Sequence, residues 1–167
     1  MDKKGYVVTH THWDREWRYP IWESRIYLAE MLDELLDMLD TREDYVSFLF
    51  DGQSVFLEDY LMIRPENRER LKKHIQDKKL LIGPWYTLPD LYPVSGESLV
   101  RNLLKGDQVC AEYGHKLNVG YESFGWGQPS QFPQIYKGFG IDLVIVAKRV
   151  NEKKAPESEF IWEGKDG

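Results

Sequence analysis

Val7-Val8-Thr9-His10-Thr11-His12-Trp13-Asp14-Arg15-Glu16-Trp17 is the stretch whose reading decides the fold of this chain. It opens as an apolar, strand-like run and breaks into two histidines, two carboxylates and two tryptophans between His10 and Trp17. A buried strand ending in such a cluster is how α/β proteins place chemistry at the carboxyl edge of a sheet. His12 and Asp14 are two positions apart, so on extended backbone their side chains leave the same face. An imidazole and a carboxylate side by side suit a shared divalent metal, and zinc accepts both. A surface turn with incidental histidines is the competing reading, and spacing alone leaves both open.

Working outward, the same pattern recurs. Tyr6–Thr9 reads as a first strand buried on both faces. Trp22–Leu39 carries Ile26, Ala29, Leu32, Leu35, Leu36 and Leu39 at helical spacing. Tyr45–Phe50 is a second, almost wholly apolar strand, as parallel strands covered by helices tend to be. It ends in Asp51-Gly52-Gln53, where Asp51 reads first as a turn residue or helix cap. Helices are expected over 54–63 and from Pro65 to about Lys78, with His74 solvated. Leu80–Gly83 is a third strand, followed by Pro84-Trp85-Tyr86 and by Asp90. A helix over 99–113, a short strand at Val119–Tyr121, a helix from Ser130 to Phe139 and a strand at Asp142–Ala147 complete the pattern, and Phe160–Trp162 is a candidate sixth strand. Strand and helix alternate with no low-complexity linker, which gives an α/β domain with a mostly parallel sheet flanked by helices, open or barrel-like. Right-handed crossovers then bring the polar strand ends to one rim.

Bulk properties narrow the function. The formal net charge of -6 argues against nucleic acid or an anionic membrane as partner. No apolar stretch is long enough to span a bilayer. Cys110 is the single cysteine, so no internal disulfide forms, which fits a reducing compartment. Met1–Tyr6 leads into a very short apolar run, not a secretory leader. A soluble cytoplasmic protein is the expectation.

Five blocks then carry a family resemblance: His10–Trp17, Asp51-Gly52-Gln53, Gly83-Pro84-Trp85-Tyr86, Gly96-Glu97-Ser98 with Arg101-Asn102-Leu103, and Gln131–Ile135 with Gly138–Ile141. Their order along the chain resembles the N-terminal catalytic domain of glycoside hydrolase family 38, the α-mannosidases. The nearest likeness is to bacterial cytoplasmic members, including those that act on mannosylglycerate. The resemblance implies that residues 1–167 are the N-terminal portion of a seven-stranded β/α barrel with zinc at the carboxyl ends of its strands. It implies His12 and Asp14 as zinc ligands and Trp17 as the ring that stacks on mannose. It also implies that Trp85, Tyr86 and Asp90 lie near the sugar. The implied partners are an α-mannoside and the rest of the same polypeptide, with self-association left open.

Two departures from the family pattern stand out. Ungapped counting forward from Gly120-Tyr121, or back from Gln131, places Phe124 where the family has its aspartate nucleophile. Phenylalanine neither attacks an anomeric carbon nor binds zinc. Glu122, two residues earlier and on the same strand face, is the candidate stand-in as nucleophile or ligand. Family enzymes also continue for several hundred residues and supply a further histidine ligand and the acid/base carboxylate from there. The 167 residues alone are therefore expected to be inactive. The leading reading is zinc-dependent, retaining hydrolysis of α-mannosidic bonds by the complete protein. A non-catalytic carbohydrate-binding or regulatory descendant and a metal-dependent sugar deacetylase are the alternatives.

Overall fold

The computed structural model describes residues 3–122, 127–148, 150–155 and 157–167. In chain order it contains α1 (Ile21–Thr41), β1 (Phe48–Leu49), α2 (Val55–Leu61), a 3-10 turn (Pro65–Asn67), α3 (Arg68–Gln76), β2 (Leu80–Leu81), α4 (Gly96–Tyr113), β3 (Val119–Glu122), α5 (Phe132–Gly138) and β4 (Leu143–Val146).

The strands pair in parallel. Phe48 faces Leu80 across β1 and β2, and Val119 faces Leu143 across β3 and β4. The opening run lies parallel to β1, with the Leu49 amide donating to the Thr9 carbonyl at 2.9 Å and a bridge at His10. The Leu117 amide donates to the Ile82 carbonyl at 2.9 Å, which ties the approach to β3 to the end of β2. Helices and parallel strands thus alternate as the sequence pattern requires.

Helix α1 follows from its leucines. Leu28, Leu32, Leu36 and Leu39 are fully buried, three and four residues apart on one face. Each removes about 1.5–3 kcal/mol worth of apolar side chain from water. They pack with Phe50, Phe56, Leu57, Tyr60, Leu71 and Ile75, which joins α1, α2, α3 and β1 in one core. A second core gathers Trp85, Leu91, Leu99, Leu103, Phe132, Tyr136 and Ile141 around α4 and α5. Ser95 caps α4 by accepting from the Ser98 amide at 3.2 Å, and Gly114 ends it with φ of 90°. At Gly106 a β-carbon would come within 2.2 Å of the Pro84 carbonyl oxygen, so only glycine lets α4 lie against the Pro84–Tyr86 turn.

Three expectations are corrected. Tyr6, Val7 and Val8 are 88%, 92% and 63% exposed, so the first run is not buried on both faces. The buried leucines of α1 pack instead with Phe50 and with residues of α2 and α3. His74 is buried, with Nε2 2.8 Å from Asp40 Oδ1, because it sits on the inner side of α3 facing α1. Phe160–Trp162 forms no strand and Ile161 is exposed, although Trp162 stacks on Phe132.

Candidate active site

The loop after the opening run and the turn after β1 meet at His12. His12 Nδ1 lies 2.7 Å from Asp51 Oδ2, and His12 Nε2 lies 3.2 Å from Asp14 Oδ1. The two ring nitrogens therefore have different tasks: one is held from beneath by Asp51, and the other faces Asp14 at the surface. The His12 and Asp14 side chains keep 35% and 34% of their exposure, whereas the Asp51 side chain keeps none.

The turn that carries Asp51 is unusual. Asp51 has φ of 46° and Gly52 follows with φ of 70°, a left-handed pair directly after β1. The conformation brings the Asp51 carboxylate under the opening loop, where the Trp13 amide also donates to Oδ2 at 3.4 Å. Burial raises the Asp51 carboxyl above its ordinary range, while His12, the Trp13 amide and Gln53 oppose that shift. Gln53 joins two loops: its Nε2 donates to the Trp13 carbonyl at 2.9 Å, and its Oε1 accepts from the Leu88 amide at 3.3 Å. Asn102 on α4 holds the next stretch, accepting from the Tyr86 and Thr87 amides at 3.0 Å each and donating to the Thr87 carbonyl at 2.7 Å.

The loop of His12–Trp17 is clamped from α2. Arg15 donates to Asp59 through Nε and Nη2 at 2.5 and 3.1 Å, and Arg25 Nε on α1 donates to the same carboxylate at 2.8 Å. Asp59 is buried, so the clamp joins the loop to the first core. Beyond it a groove of about 280 Å³ is lined by His12, Asp14, Trp17, Arg18 and Tyr27 among others. Trp17 is 70% exposed there, with the Arg18 guanidinium 4.8 Å from its ring centre.

Other expected site residues lie elsewhere. Trp85 is fully buried, 6.0 Å from the Phe132 ring and 5.9 Å from the Tyr136 ring, so it has no face free for a sugar. It is large and apolar enough to fill the second core, and that use prevails. Tyr86 donates its hydroxyl to Glu58 Oε2 at 2.6 Å and lies under Lys105, and burial with Glu58 pushes the phenol up to about 12. Asp90 is half-buried and burial raises its carboxyl.

Glu122 is buried and accepts a hydrogen bond from the Tyr136 hydroxyl on α5. Gly120 shares its face, since a β-carbon there would meet the Tyr136 ring at 2.8 Å. Tyr121 points the other way, its β-carbon 3.3 Å from where one on Gly52 would sit. Burial pushes the Glu122 carboxyl up to about 8. Phe124, at the expected nucleophile position, lies outside the described residues.

His12 Nε2 and Asp14 Oδ1 suit two corners of a metal site. Zinc bonds of about 2.0–2.1 Å in a tetrahedron place neighbouring donors about 3.3 Å apart, and these atoms are 3.2 Å apart. Among the described residues no group of three or more histidines, cysteines and carboxylates gathers closely enough to hold a metal. The fit is therefore of two ligands and a buried support. The structure places the His12 and Asp14 side chains side by side, as a spacing of two on extended backbone requires, and adds Asp51 beneath the ring, which the sequence reads first as a turn residue or cap. The only signal for it was the repeated pattern of an apolar strand followed by a polar end.

The family model of the Glycosyl hydrolases family 38 N-terminal domain matches residues 3–167. The chain belongs to glycosyl hydrolase family 38. A protein of Halalkalibacterium halodurans named "Putative mannosylglycerate hydrolase" is 39% identical over all of this chain and 20% of its own length. "Alpha-mannosidase G" of Dictyostelium discoideum is 28% identical over 97% of this chain and 15% of its own. The crystal structure of an alpha-mannosidase from Enterococcus faecalis V583 superposes with a TM-score of 0.79 at 39% identity, over 82% of this chain and 16% of that one. A second family 38 structure from Enterococcus faecalis gives a TM-score of 0.74 at 36% identity, over 83% and 16% of the two chains. The chain spans about a fifth or less of the length of these family 38 relatives.

Proposed function

We propose that these residues form the metal- and sugar-facing part of a zinc-dependent retaining α-mannosidase, completed by further residues of the same protein. The observation that carries this reading is the placement of His12 Nε2 beside Asp14 Oδ1, at the rim of the groove that Trp17 lines. His12 and Asp14 would hold zinc as two of its ligands. Bound there, zinc supplies Lewis-acid polarisation of sugar hydroxyls. The exposed Trp17 indole offers an apolar face to the sugar ring, while the Arg15–Asp59 clamp keeps the loop in register with the core. Asp90 and Tyr86 are assigned to the sugar side of the neighbouring loop, and Trp85 to the packing beneath it. An α-mannoside is the proposed substrate class, and the relative named "Putative mannosylglycerate hydrolase" supports one of the mannosylglycerate type. The single, buried Cys110 supports a cytoplasmic setting.

Retaining hydrolysis needs two carboxyl groups about 5 Å apart. Of the carboxylates placed at His12, Asp14 faces the groove and Asp51 is buried beneath the ring. The isolated 167 residues are accordingly proposed to be inactive. The test combines metal analysis of the complete protein with turnover of an aryl α-mannoside. The expected outcome is bound zinc, mannosidase activity and loss of both on chelation. Sugar binding without turnover, or deacetylation of an acetylated sugar instead, would overturn the assignment.

A further inference from the structure

We propose that Asp51 is a positioning residue that fixes the tautomer and ring angle of His12 and thereby sets the metal affinity of the site. The inference rests on the reading of His12 and Asp14 as metal ligands and adds the residue that orients one of them. A neutral imidazole binds a metal through the nitrogen that lacks a proton, so the proton must sit on the other one. His12 Nδ1 meets the buried Asp51 carboxylate at 2.7 Å. Nε2 is then the nitrogen turned toward Asp14, and with zinc bound there Nδ1 would carry the proton and donate it to Asp51.

The geometry of Asp51 suits that task better than a simple turn would. A turn aspartate ordinarily faces solvent or caps its own backbone. Asp51 instead is buried, holds a left-handed φ of 46°, and directs Oδ2 at His12 and the Trp13 amide from 38 residues away or more along the chain. Gln53, two residues on, holds the Trp13 carbonyl, so the backbone beside His12 is fixed from the same turn. A left-handed non-glycine residue costs free energy and persists where its surroundings enforce it.

Asp51→Asn separates orientation from folding. Asparagine matches aspartate in size and tolerates positive φ. Its amide can accept from Nδ1–H or donate to bare Nδ1, so the tautomer is no longer imposed. Zinc affinity is measured by chelator competition on the complete protein and on its D51N and H12A variants, alongside metal-free unfolding midpoints. The expected result is a loss of about 10–100-fold in zinc affinity for D51N, the range for groups that orient a metal-binding histidine, with an almost unchanged midpoint. Equal affinity of D51N and wild type would overturn the role of Asp51 while leaving the metal reading intact. A wild type that binds zinc no better than H12A would instead overturn the metal reading, and this inference with it. Nitrogen chemical shifts of His12 in the zinc-loaded complete protein, assigned by comparison with H12A, report which ring nitrogen binds the metal with no Asp51 variant. Metal on Nε2 with a protonated Nδ1 is expected, and metal on Nδ1 would overturn the inference.

Discussion

Asp51 and Glu122 are both carboxylates at the end of a parallel strand, both almost wholly buried, and they turn opposite ways. Asp51 lies just past β1 and reaches His12 across the strand ends. Glu122 is the last residue of β3 and reaches Tyr136 on α5, in the helix layer. Alternation explains the difference. Tyr121 points toward the Asp51 turn, so Glu122 must point away from it. At β1 the left-handed turn resets the direction, and Asp51 swings toward the opening loop. A carboxylate at a strand end is thus a site candidate only when its face is known. Burial does not discriminate between the two, since it raises both carboxyls. The partner does: a part-exposed imidazole beside Asp14 in one case, a phenol within the core in the other.

The largest expected effect falls on the His12 side. In the complete protein His12→Ala should reduce bound zinc and aryl α-mannoside turnover to background, read by metal analysis and initial rates. Retention of both would move the metal to another part of the molecule and leave Asp51 with no ligand to orient.

Next comes the clamp that ties this loop to the core. Asp59→Ala removes the buried carboxylate that Arg15 and Arg25 share, and losing hydrogen bonds to a charged group costs about 1.5–3 kcal/mol. A denaturant titration should show that loss as a lower midpoint. A shift of under ~1 kcal/mol would mean that the loop is held mainly by Gln53 and Asp51.

On the Glu122 side the expected effect is on stability against pH. The folded-state carboxyl titrates at about 8, above its ordinary 4.5. Between those values the folded protein holds a proton that the unfolded chain releases, so stability falls as pH rises, by up to about 1.4 kcal/mol per unit. Below that window both states are protonated, and above it the loss is complete. Glu122→Gln should flatten the fall across the window while turnover per folded molecule is kept. A collapse of turnover with an unchanged pH slope would return Glu122 to the chemistry and erase the contrast with Asp51.

The smallest effect is at the groove. Trp17→Ala should raise KM about tenfold with kcat nearly unchanged, equal to ~1.4 kcal/mol of binding. Saturation kinetics on an aryl α-mannoside would show it, and an unchanged KM would assign the sugar to another face.

The elements were legible because their signals are local. The leucine stripe of α1, the serine and glycine that bound α4, and the β-rich runs at β1 and β4 all act within a few residues. That His12 and Asp14 lie side by side was legible for the same reason, since a spacing of two on extended backbone fixes a shared face. The aromatic residues were not: Trp17 and Trp85 are the same residue type, and one is exposed while the other fills a core. Hydrophobicity says that an indole prefers contact, not which contact. His74 was misjudged because its neighbours in sequence are charged, while its burial comes from α1 packed across it.

The sequence by itself determined the alternation of helix and strand, the ligand-type pair in the opening run, and the order of blocks that marks family 38. Those features depend on the period of the backbone and on residues close in sequence. The tertiary structure alone decided that Asp51 belongs under His12, that Asp59 holds Arg15, and that Glu122 faces Tyr136. Each is a contact between segments 14 or more residues apart, and which segments meet is set by the crossovers and the packing of the two cores.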